Sequence, residues 1–136
     1  MATMKKTKNT ILIPVSPAEL MDKLAILAIK QQKIKDLEKL KNIKREIKVL
    51  NTVFGKNIKM TKELNRLFMA LKKASNKGWR IEDIKRDCER RKDFGPEFIN
   101  AARGAFKNND ARAVLWKKIN LLLKSEIVQE KSYEKY

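Results

Sequence analysis

The sequence predicts an all-helical fold, in which a long antiparallel helical hairpin has two shorter C-terminal helices packed across it. Apolar residues recur at steps of three and four rather than two, which is the period of a helix face. Only 4 glycines and 3 prolines interrupt the 136 residues, so few helix breaks are expected. Hydrophobic residues make up 43% of the chain, which is enough for one ordinary core at a length typical of one domain.

The chain is expected to form one helical domain over residues 10–133, between two tails. Residues 1–9 contain lysines without acidic residues and are predicted to be a disordered basic tail. Residues 10–15 are apolar and β-branched, so an extended segment is predicted there. Residues 134–136 form a short C-terminal tail.

The first helix is predicted to begin at Pro17. Ser16 supplies an N-cap hydroxyl, Pro17 suits the first helical position, and Glu19 completes a capping box. These three residues are the strongest local signal in the chain, because each of them favours the same helix start.

The first long arm of the hairpin extends from this start to about Phe54. Apolar residues follow one another at steps of three and four, the pattern of a helix that packs along a long neighbour. Asp36 is expected either to cap a new helix or to bend the first one. Gly55 is expected to end the arm, because glycine is common just after the last helical turn. If the apolar seam is wider than one partner helix covers, the chain is expected to form a homodimer.

Thr61 is predicted to cap the second long arm, whose apolar stripe runs from Leu64 to Cys88. Gly78 lies inside this pattern and weakens the helix by about 1 kcal/mol relative to alanine. The periodicity resumes beyond Gly78, so a kinked or close-packed helix is expected rather than a break.

Two shorter helices are expected to complete the domain. Pro96 follows Phe94 and Gly95 and opens the first of them, which runs to about Phe106. A turn is then predicted over residues 108–110, where Asp110 caps a last helix over residues 111–124.

The chain is strongly basic, with 33 lysines and arginines against 16 acidic residues and a net charge of +17. Such a charge attracts nucleic acid, anionic membranes and acidic partners. More than half of this net positive charge lies in residues 23–62, which hold 12 bases and 3 acids. Lys41, Lys44 and Lys48 form the candidate anion-binding arm, which makes a nonspecific nucleic-acid-binding protein one alternative. The other interpretation is a solvated helix face, because only Phe54 is near for base stacking.

Several kinds of chemistry are excluded by residues that the sequence lacks. It has no histidine, which excludes imidazole catalysis and histidine-ligated metal sites. Its single cysteine, Cys88, excludes an internal disulfide and is expected to be a buried structural thiol. No cofactor and no metal ion is expected. Without a signal-peptide pattern or an apolar run of about 20 residues, a soluble cytoplasmic protein with no membrane partner is predicted.

Residues 80–93 alternate acidic and basic side chains at helical spacing. Most of them are expected to form surface ion pairs, each worth a few tenths of a kcal/mol. The alternative is that Glu82 or Arg86 faces inward, where a buried charge must be paired. Carboxylates with lysine or arginine also permit a further alternative, a histidine-free helical enzyme acting on an anionic small molecule.

Four blocks of sequence occur in a fixed order, over residues 14–30, 86–95, 109–112 and 130–133. Together they resemble a family of small bacterial all-helical proteins that is described only as a domain of unknown function. The resemblance spans about residues 11 to 133 and implies a single helical, intracellular domain. Genes of that family tend to lie beside glycosyltransferase and surface-polysaccharide genes, which implies a role near cell-surface glycan assembly. The chain departs from the family pattern at Ala18, where glycine is frequent, and at Ala28, where glutamate is expected.

Capping and turn formation leave six polar residues of these blocks unexplained, and they form the candidate ligand cluster: Asp22, Lys23, Arg86, Arg112, Lys131 and Tyr133. We expect the segment over residues 130–133 to fold back onto the start of the first helix, where Asp22 and Lys23 lie. The function expected from these residues is a non-catalytic helical binding or accessory module. Its ligand is a protein partner or an anionic group, with a link to glycan assembly implied by the resemblance alone.

Overall fold

The computed structural model of the chain describes residues 7–136, which form four α-helices. They are α1 (Pro17–Lys33), α2 (Leu37–Asn57), α3 (Lys62–Arg91) and α4 (Pro96–Leu122). No strand occurs in residues 7–136, so the all-helical prediction is confirmed. The first six residues of the expected basic tail lie outside the described range. None of the four described helices is long and apolar enough to cross a membrane.

Three helices begin at side-chain N-caps, of which Ser16 and Thr61 are predicted by the sequence and Asp36 follows one of its two predicted alternatives. In each case a side-chain oxygen accepts a hydrogen bond from the backbone N–H three residues later, which otherwise lacks a carbonyl partner. The pairs are Ser16 with Glu19 at 3.2 Å, Asp36 with Lys39 at 2.9 Å, and Thr61 with Leu64 at 3.1 Å. Local sequence alone therefore determines where α1, α2 and α3 start.

The predicted first arm is two antiparallel helices rather than one continuous helix. α1 ends at Lys33, and Ile34 takes an extended backbone conformation before Asp36 caps α2. The far end of α2 returns to the start of α1, because Phe54 packs against the buried cluster that contains Ala18. Among the four described helices, α2 packs against α1 and not against α3 or α4.

Gly55 does not end α2, contrary to the sequence prediction. The helix continues through Gly55 to Asn57, and Ile58 is the C-cap residue in an extended conformation. A glycine within a helix costs only about 1 kcal/mol, and neighbouring helix contacts readily exceed that cost. The packing of Phe54 and Ile58 against the core supplies such contacts.

α3 runs without a break through Gly78, as its apolar periodicity predicts. At this position α4 approaches closely, since a Cβ atom on Gly78 would lie 3.3 Å from Asn108 Nδ2. Asn108 is buried, and its Nδ2 donates to the Ala74 carbonyl at 3.0 Å. Gly78 is therefore a close-packing position at the crossing of α3 and α4.

The prediction of two shorter C-terminal helices is wrong, because α4 is one helix over Pro96–Leu122. The predicted turn over residues 108–110 lies within it. Asparagine favours turns because its side chain competes for local backbone groups. Here Asn108 instead donates to α3, so the tertiary contact overrides the local preference and Asp110 is not an N-cap.

α1 is the central helix and contacts α2, α3 and α4. Its small residues Ala18 and Ala25 and its Met21 are fully buried. They form one cluster with the buried residues of α3 and α4, which are Leu64, Leu71 and Ile119. The core therefore lies where α1 crosses the α3–α4 pair, and α2 covers α1 from the other side.

Candidate functional site

The candidate site is built around an ion pair between α1 and α4. An Arg112 Nη2 donates to Asp22 Oδ2, and the Asp22 side chain is only 5% exposed. Arg112 also approaches Asn109 Oδ1 at 3.5 Å. Asp22 Oδ1 and Arg112 Nε are both buried and have no hydrogen-bond partner within residues 7–136. The pair therefore joins two helices while leaving a donor and an acceptor unused.

A cleft of about 240 Å³ lies between α4 and the C-terminal segment, by which we mean residues 123–136. We call it the α4 cleft; it is lined by Asn109, Arg112, Ala113, Trp116, Gln129, Glu130 and Lys131. Trp116 Nε1 is buried and, like Arg112 Nε, finds no acceptor in the described part of the chain. Arg112 and Trp116 are four residues apart, so they lie on one face of α4. Two residues that line the cleft, on adjacent turns of α4, thus carry buried N–H donors without a partner in residues 7–136.

A polar network fixes the C-terminal segment beside the start of α1. Gln129 Oε1 accepts from Ser16 Oγ and from Asn120 Nδ2, both at 3.0 Å. Gln129 Nε2 donates to Glu19 Oε2 at 3.3 Å, so the Glu19 carboxylate bonds to the C-terminal segment. Asn120 Oδ1 accepts from the Ala18 N–H at 3.0 Å, inside the first turn of α1. Ser16 and Asn120 are almost fully buried, and the bond from the Ala18 N–H to Asn120 is buried, whereas the bonds of the exposed Gln129 are partly or fully open to water.

The C-terminal segment therefore folds back to the start of α1, but through Gln129 rather than through residues 130–133. Lys131 lies along α4, with its Nζ 4.0 Å from Asp110 Oδ1 and 5.4 Å from the centre of the Tyr133 ring. Glu130 reaches Lys117 of α4 at 3.9 Å. These long, exposed ion pairs contribute little stability, so their charges are available to a ligand.

The structure brings four of the six predicted cluster residues into one region and leaves two outside. Asp22, Arg112 and Lys131 lie at the α4 cleft or directly beneath it, and Tyr133 adjoins Lys131. Lys23 is exposed on α1. Arg86 points to solvent on α3, where it pairs with Glu82, so the inward-facing alternative is wrong for Arg86.

A second cavity of about 240 Å³ lies between α1, α3 and α4, and we call it the inter-helix chamber. Its walls are mostly apolar and include Ile26, Ile29, Trp79 and Ile81. Glu82 lies at this chamber, and hydrogen bonds from Arg86 and Lys85 hold the pKa of its carboxyl below the usual 4.5. Glu82 is therefore ionised and already neutralised by its own helix.

Three residues that sequence reasoning missed decide the geometry of the site: Trp116, Asn120 and Gln129. Asn120 directly follows the buried Ile119. A polar residue next to a predicted core position is a sequence signal for a buried hydrogen bond. The role of Gln129 depends on contacts with Ser16 and Glu19, more than a hundred residues away. No local pattern marks such a residue.

The candidate anion-binding arm is solvent-exposed on α2. Lys41, Lys44 and Lys48 are all exposed, and Lys41 is 3.7 Å from Glu38. They lie three and four residues apart, on one side of the helix. Because α2 packs on α1 alone among the described helices, its outer side is uncovered in the single chain.

Cys88 is fully buried, as the sequence predicts. Burial raises the pKa of its thiol above the usual 9.0, and the nearby Glu97 carboxylate raises it further. A protonated, buried thiol is a poor nucleophile. Within residues 7–136, no group of three or more cysteine, aspartate or glutamate side chains is placed to hold a metal ion.

No protein-family model matches this sequence, and no curated protein and no solved structure matches it either. The resemblance to the helical family of unknown function therefore stays a prediction. The side chains that line the α4 cleft include hydrogen-bond donors and both signs of charge.

Proposed function

We propose that the protein is a non-catalytic helical binding module that holds the carboxylate or phosphate group of a ligand in the α4 cleft. The observation that supports this function is that Arg112 and Trp116, which line the cleft, carry the buried donors Nε and Nε1 without a partner in the described residues. Lys131 adds a cationic side chain to the opposite wall.

Two unused donors favour an oxyanion as the ligand group. A buried donor without an acceptor costs about 1 to 3 kcal/mol, so a ligand that supplies acceptors recovers this free energy. A carboxylate or phosphate has several oxygens, and its hydrogen bonds to charged donors are stronger than neutral ones. Asp22 neutralises part of the Arg112 charge. The long-range attraction of an anionic ligand to the protein therefore comes from the net charge of +17.

Access to these donors requires the C-terminal segment to move, because both nitrogen atoms are buried in the free protein. The segment is held at the cleft mainly by the bonds of Gln129 and by two long ion pairs. Such a segment opens at lower free-energy cost than a packed helix. The ligand is therefore expected to enter between α4 and residues 129–131.

Nuclear magnetic resonance of the two tryptophan indoles tests this function. Phosphate and acetate, added at constant ionic strength, are expected to shift the Trp116 indole N–H signal saturably and to leave that of Trp79 unchanged. The variant Trp79→Phe assigns the two signals. If neither anion moves the Trp116 signal, the proposal is wrong.

Two substitutions check which groups bind the anion. Arg112→Lys keeps the charge opposite Asp22 but removes the guanidinium donors, so we expect anion affinity to fall about tenfold. Lys131→Gln is expected to weaken binding by a smaller factor, and Lys118→Gln on the exposed side of α4 serves as the matched control. Equal affinity of Arg112→Lys and wild type would show that the anion binds elsewhere.

The resemblance to a family associated with glycan assembly supports a phosphosugar as the source of the anion. Glucose 1-phosphate is then expected to shift the Trp116 signal at lower concentration than inorganic phosphate. Turnover of the phosphosugar would instead favour the alternative of a histidine-free enzyme. If glucose 1-phosphate and inorganic phosphate bind with equal affinity, the sugar contributes nothing to binding and the phosphosugar proposal is wrong.

A second candidate function, nonspecific nucleic-acid binding, is favoured by one observation on α2. This helix holds 6 basic and 2 acidic residues, and its exposed Lys41, Lys44 and Lys48 share one side. Replacing Lys41, Lys44 and Lys48 by glutamine is expected to lower the salt slope of duplex binding by about 3, since each lost phosphate contact removes about 0.9. The matched control replaces three exposed lysines elsewhere: Lys73, Lys77 and Lys118. If both triple variants lose the same slope, net charge alone explains the binding.

A further inference from the structure

We infer that the ligand of the α4 cleft is an amphipathic anion, whose apolar group of about the size of a benzene ring enters the inter-helix chamber. This inference rests on the proposed function, because the carboxylate or phosphate of the same ligand binds at Arg112. It adds the chemical class of the rest of the molecule, which the donors of the cleft do not specify.

The two cavities share a wall. Asn109 and Arg112 line both the α4 cleft and the inter-helix chamber. The Arg112 guanidinium is held by its hydrogen bond to Asp22 of α1. An anion bound to Arg112 is therefore bound to a residue that also lines the chamber.

The walls of the chamber match an apolar group. Ile26 and Ile29 come from α1, Trp79 and Ile81 from α3, and Ala105 from α4. Trp79 offers an aromatic face, and aromatic rings pack favourably against one another at offset or edge-on angles. An apolar group in this chamber would remove the facing hydrocarbon surface from water.

The size of the chamber also fits such a group. A cavity of about 150 Å³ holds a benzene molecule. The chamber measures about 240 Å³, so it has room for one ring and a short linker toward Arg112. A long acyl chain would not fit within it.

An unused polar atom lies on the same wall. Ser75 Oγ is buried at the chamber and has no hydrogen-bond partner among the described residues. Together with Arg112 Nε and Trp116 Nε1, it gives three unused polar atoms along the two cavities. Buried polar groups in folded proteins are nearly always paired, so these three atoms are available to hydrogen-bond a ligand.

Three probes test the inference through the same indole signals. Acetate presents the anion alone, 3-phenylpropanoate presents anion and ring, and 3-phenylpropanol presents the ring without the anion. We expect 3-phenylpropanoate to shift both the Trp116 and the Trp79 signals and to bind at least about tenfold more tightly than acetate. The alcohol is expected to bind more weakly than 3-phenylpropanoate.

A cavity-filling variant locates the ring. Ala105→Leu places extra methyl groups in the chamber and is expected to abolish the Trp79 shift and the tenfold gain, while the acetate response stays unchanged. Ala111→Leu, on the exposed side of α4, is the matched control. Nuclear Overhauser contacts between the phenyl protons and the Trp79 ring provide a second measurement that needs no variant.

The outcomes separate the two proposals. If acetate shifts Trp116 but 3-phenylpropanoate binds no more tightly and shows no contact with Trp79, the inference is wrong and the anion site stands. If neither compound shifts Trp116, the proposed function itself is wrong. If 3-phenylpropanol binds as tightly as 3-phenylpropanoate, the chamber is an apolar site unconnected to Arg112, which also overturns the inference.

Discussion

Asp22 of α1 and Arg112 of α4 form an ion pair across the interior of the domain, and Asp22 is only 4% exposed. Arg112 lines both cavities, and the pair joins its helix to the central helix α1. A buried carboxylate is tolerated only with a partner, because loss of hydration must be offset by the attraction to the guanidinium. The position of Arg112 in the site therefore depends on Asp22.

Replacement of Asp22 by asparagine is expected to lower the free energy of unfolding by about 2 kcal/mol. Breaking a fully buried pair costs more, about 3 to 5 kcal/mol, but the Arg112 side chain is 26% exposed and keeps part of its hydration. Urea denaturation gives the value, with Asp83→Asn on the exposed side of α3 as control. The double variant with Arg112→Gln is expected to regain stability, and unchanged stability of Asp22→Asn would contradict the role of the pair.

Asn120→Ala is expected to lower stability by about 2 kcal/mol. The substitution removes the acceptor for the Ala18 N–H in the first turn of α1, a buried bond, and the donor to Gln129, a partly buried one. Urea denaturation measures the loss, and hydrogen exchange at the Ala18 amide is expected to become faster. Asn100→Ala, at an exposed position of α4, is the control. An equal effect of both variants would mean that the network contributes nothing.

Gly55→Ala is expected to stabilise the protein by up to about 1 kcal/mol, whereas Gly78→Ala is expected to gain less. Both positions lie inside helices, where alanine is preferred to glycine. A Cβ atom at Gly55 meets nothing within 4 Å, but at Gly78 it lies 3.3 Å from Asn108 Nδ2. Melting temperatures of the two variants test the difference. Equal gains would show that Asn108 moves without cost.

The Cys88 thiol is expected to be unreactive toward a disulfide reagent at pH 8 in the folded protein and to react readily in urea. Burial raises its pKa above the usual 9.0, so the folded state retains the proton to a higher pH than the unfolded chain. The contribution of this thiol to the free energy of unfolding is therefore fully present below pH 9 and is lost as the pH rises above that value. Unfolding of wild type and Cys88→Ala at pH 8 and pH 10 measures it. If both proteins lose the same stability, Cys88 contributes nothing to the pH dependence.

Local signals in the sequence account for much of the fold. Ser16, Asp36 and Thr61 mark three helix starts because capping needs only residues three positions apart. The helix breaks that were wrong, at Gly55 and at residues 108–110, are places where a tertiary contact outweighs a local preference of about 1 kcal/mol. Asn108 illustrates this, since its side chain serves α3 instead of a turn.

The candidate site could be predicted only in part. Asp22, Arg112 and Lys131 were singled out because helix capping did not explain them, and the structure brings them together. Lys23 and Arg86 met the same criterion yet point to solvent. Sequence reasoning identifies polar residues without a local role, but it does not give their direction across helices.

The sequence by itself determined the helical class, the capped starts of α1 and α3 and the burial of Cys88, because periodicity and capping act within a few residues along the chain. Tertiary structure decided the reversal between α1 and α2, the continuity of α4 and the pairing of Asp22 with Arg112. It also decided that Gln129 closes the α4 cleft against Ser16 and Asn120. These features depend on contacts between residues far apart in sequence, whose free energies exceed the local preferences that a sequence pattern records.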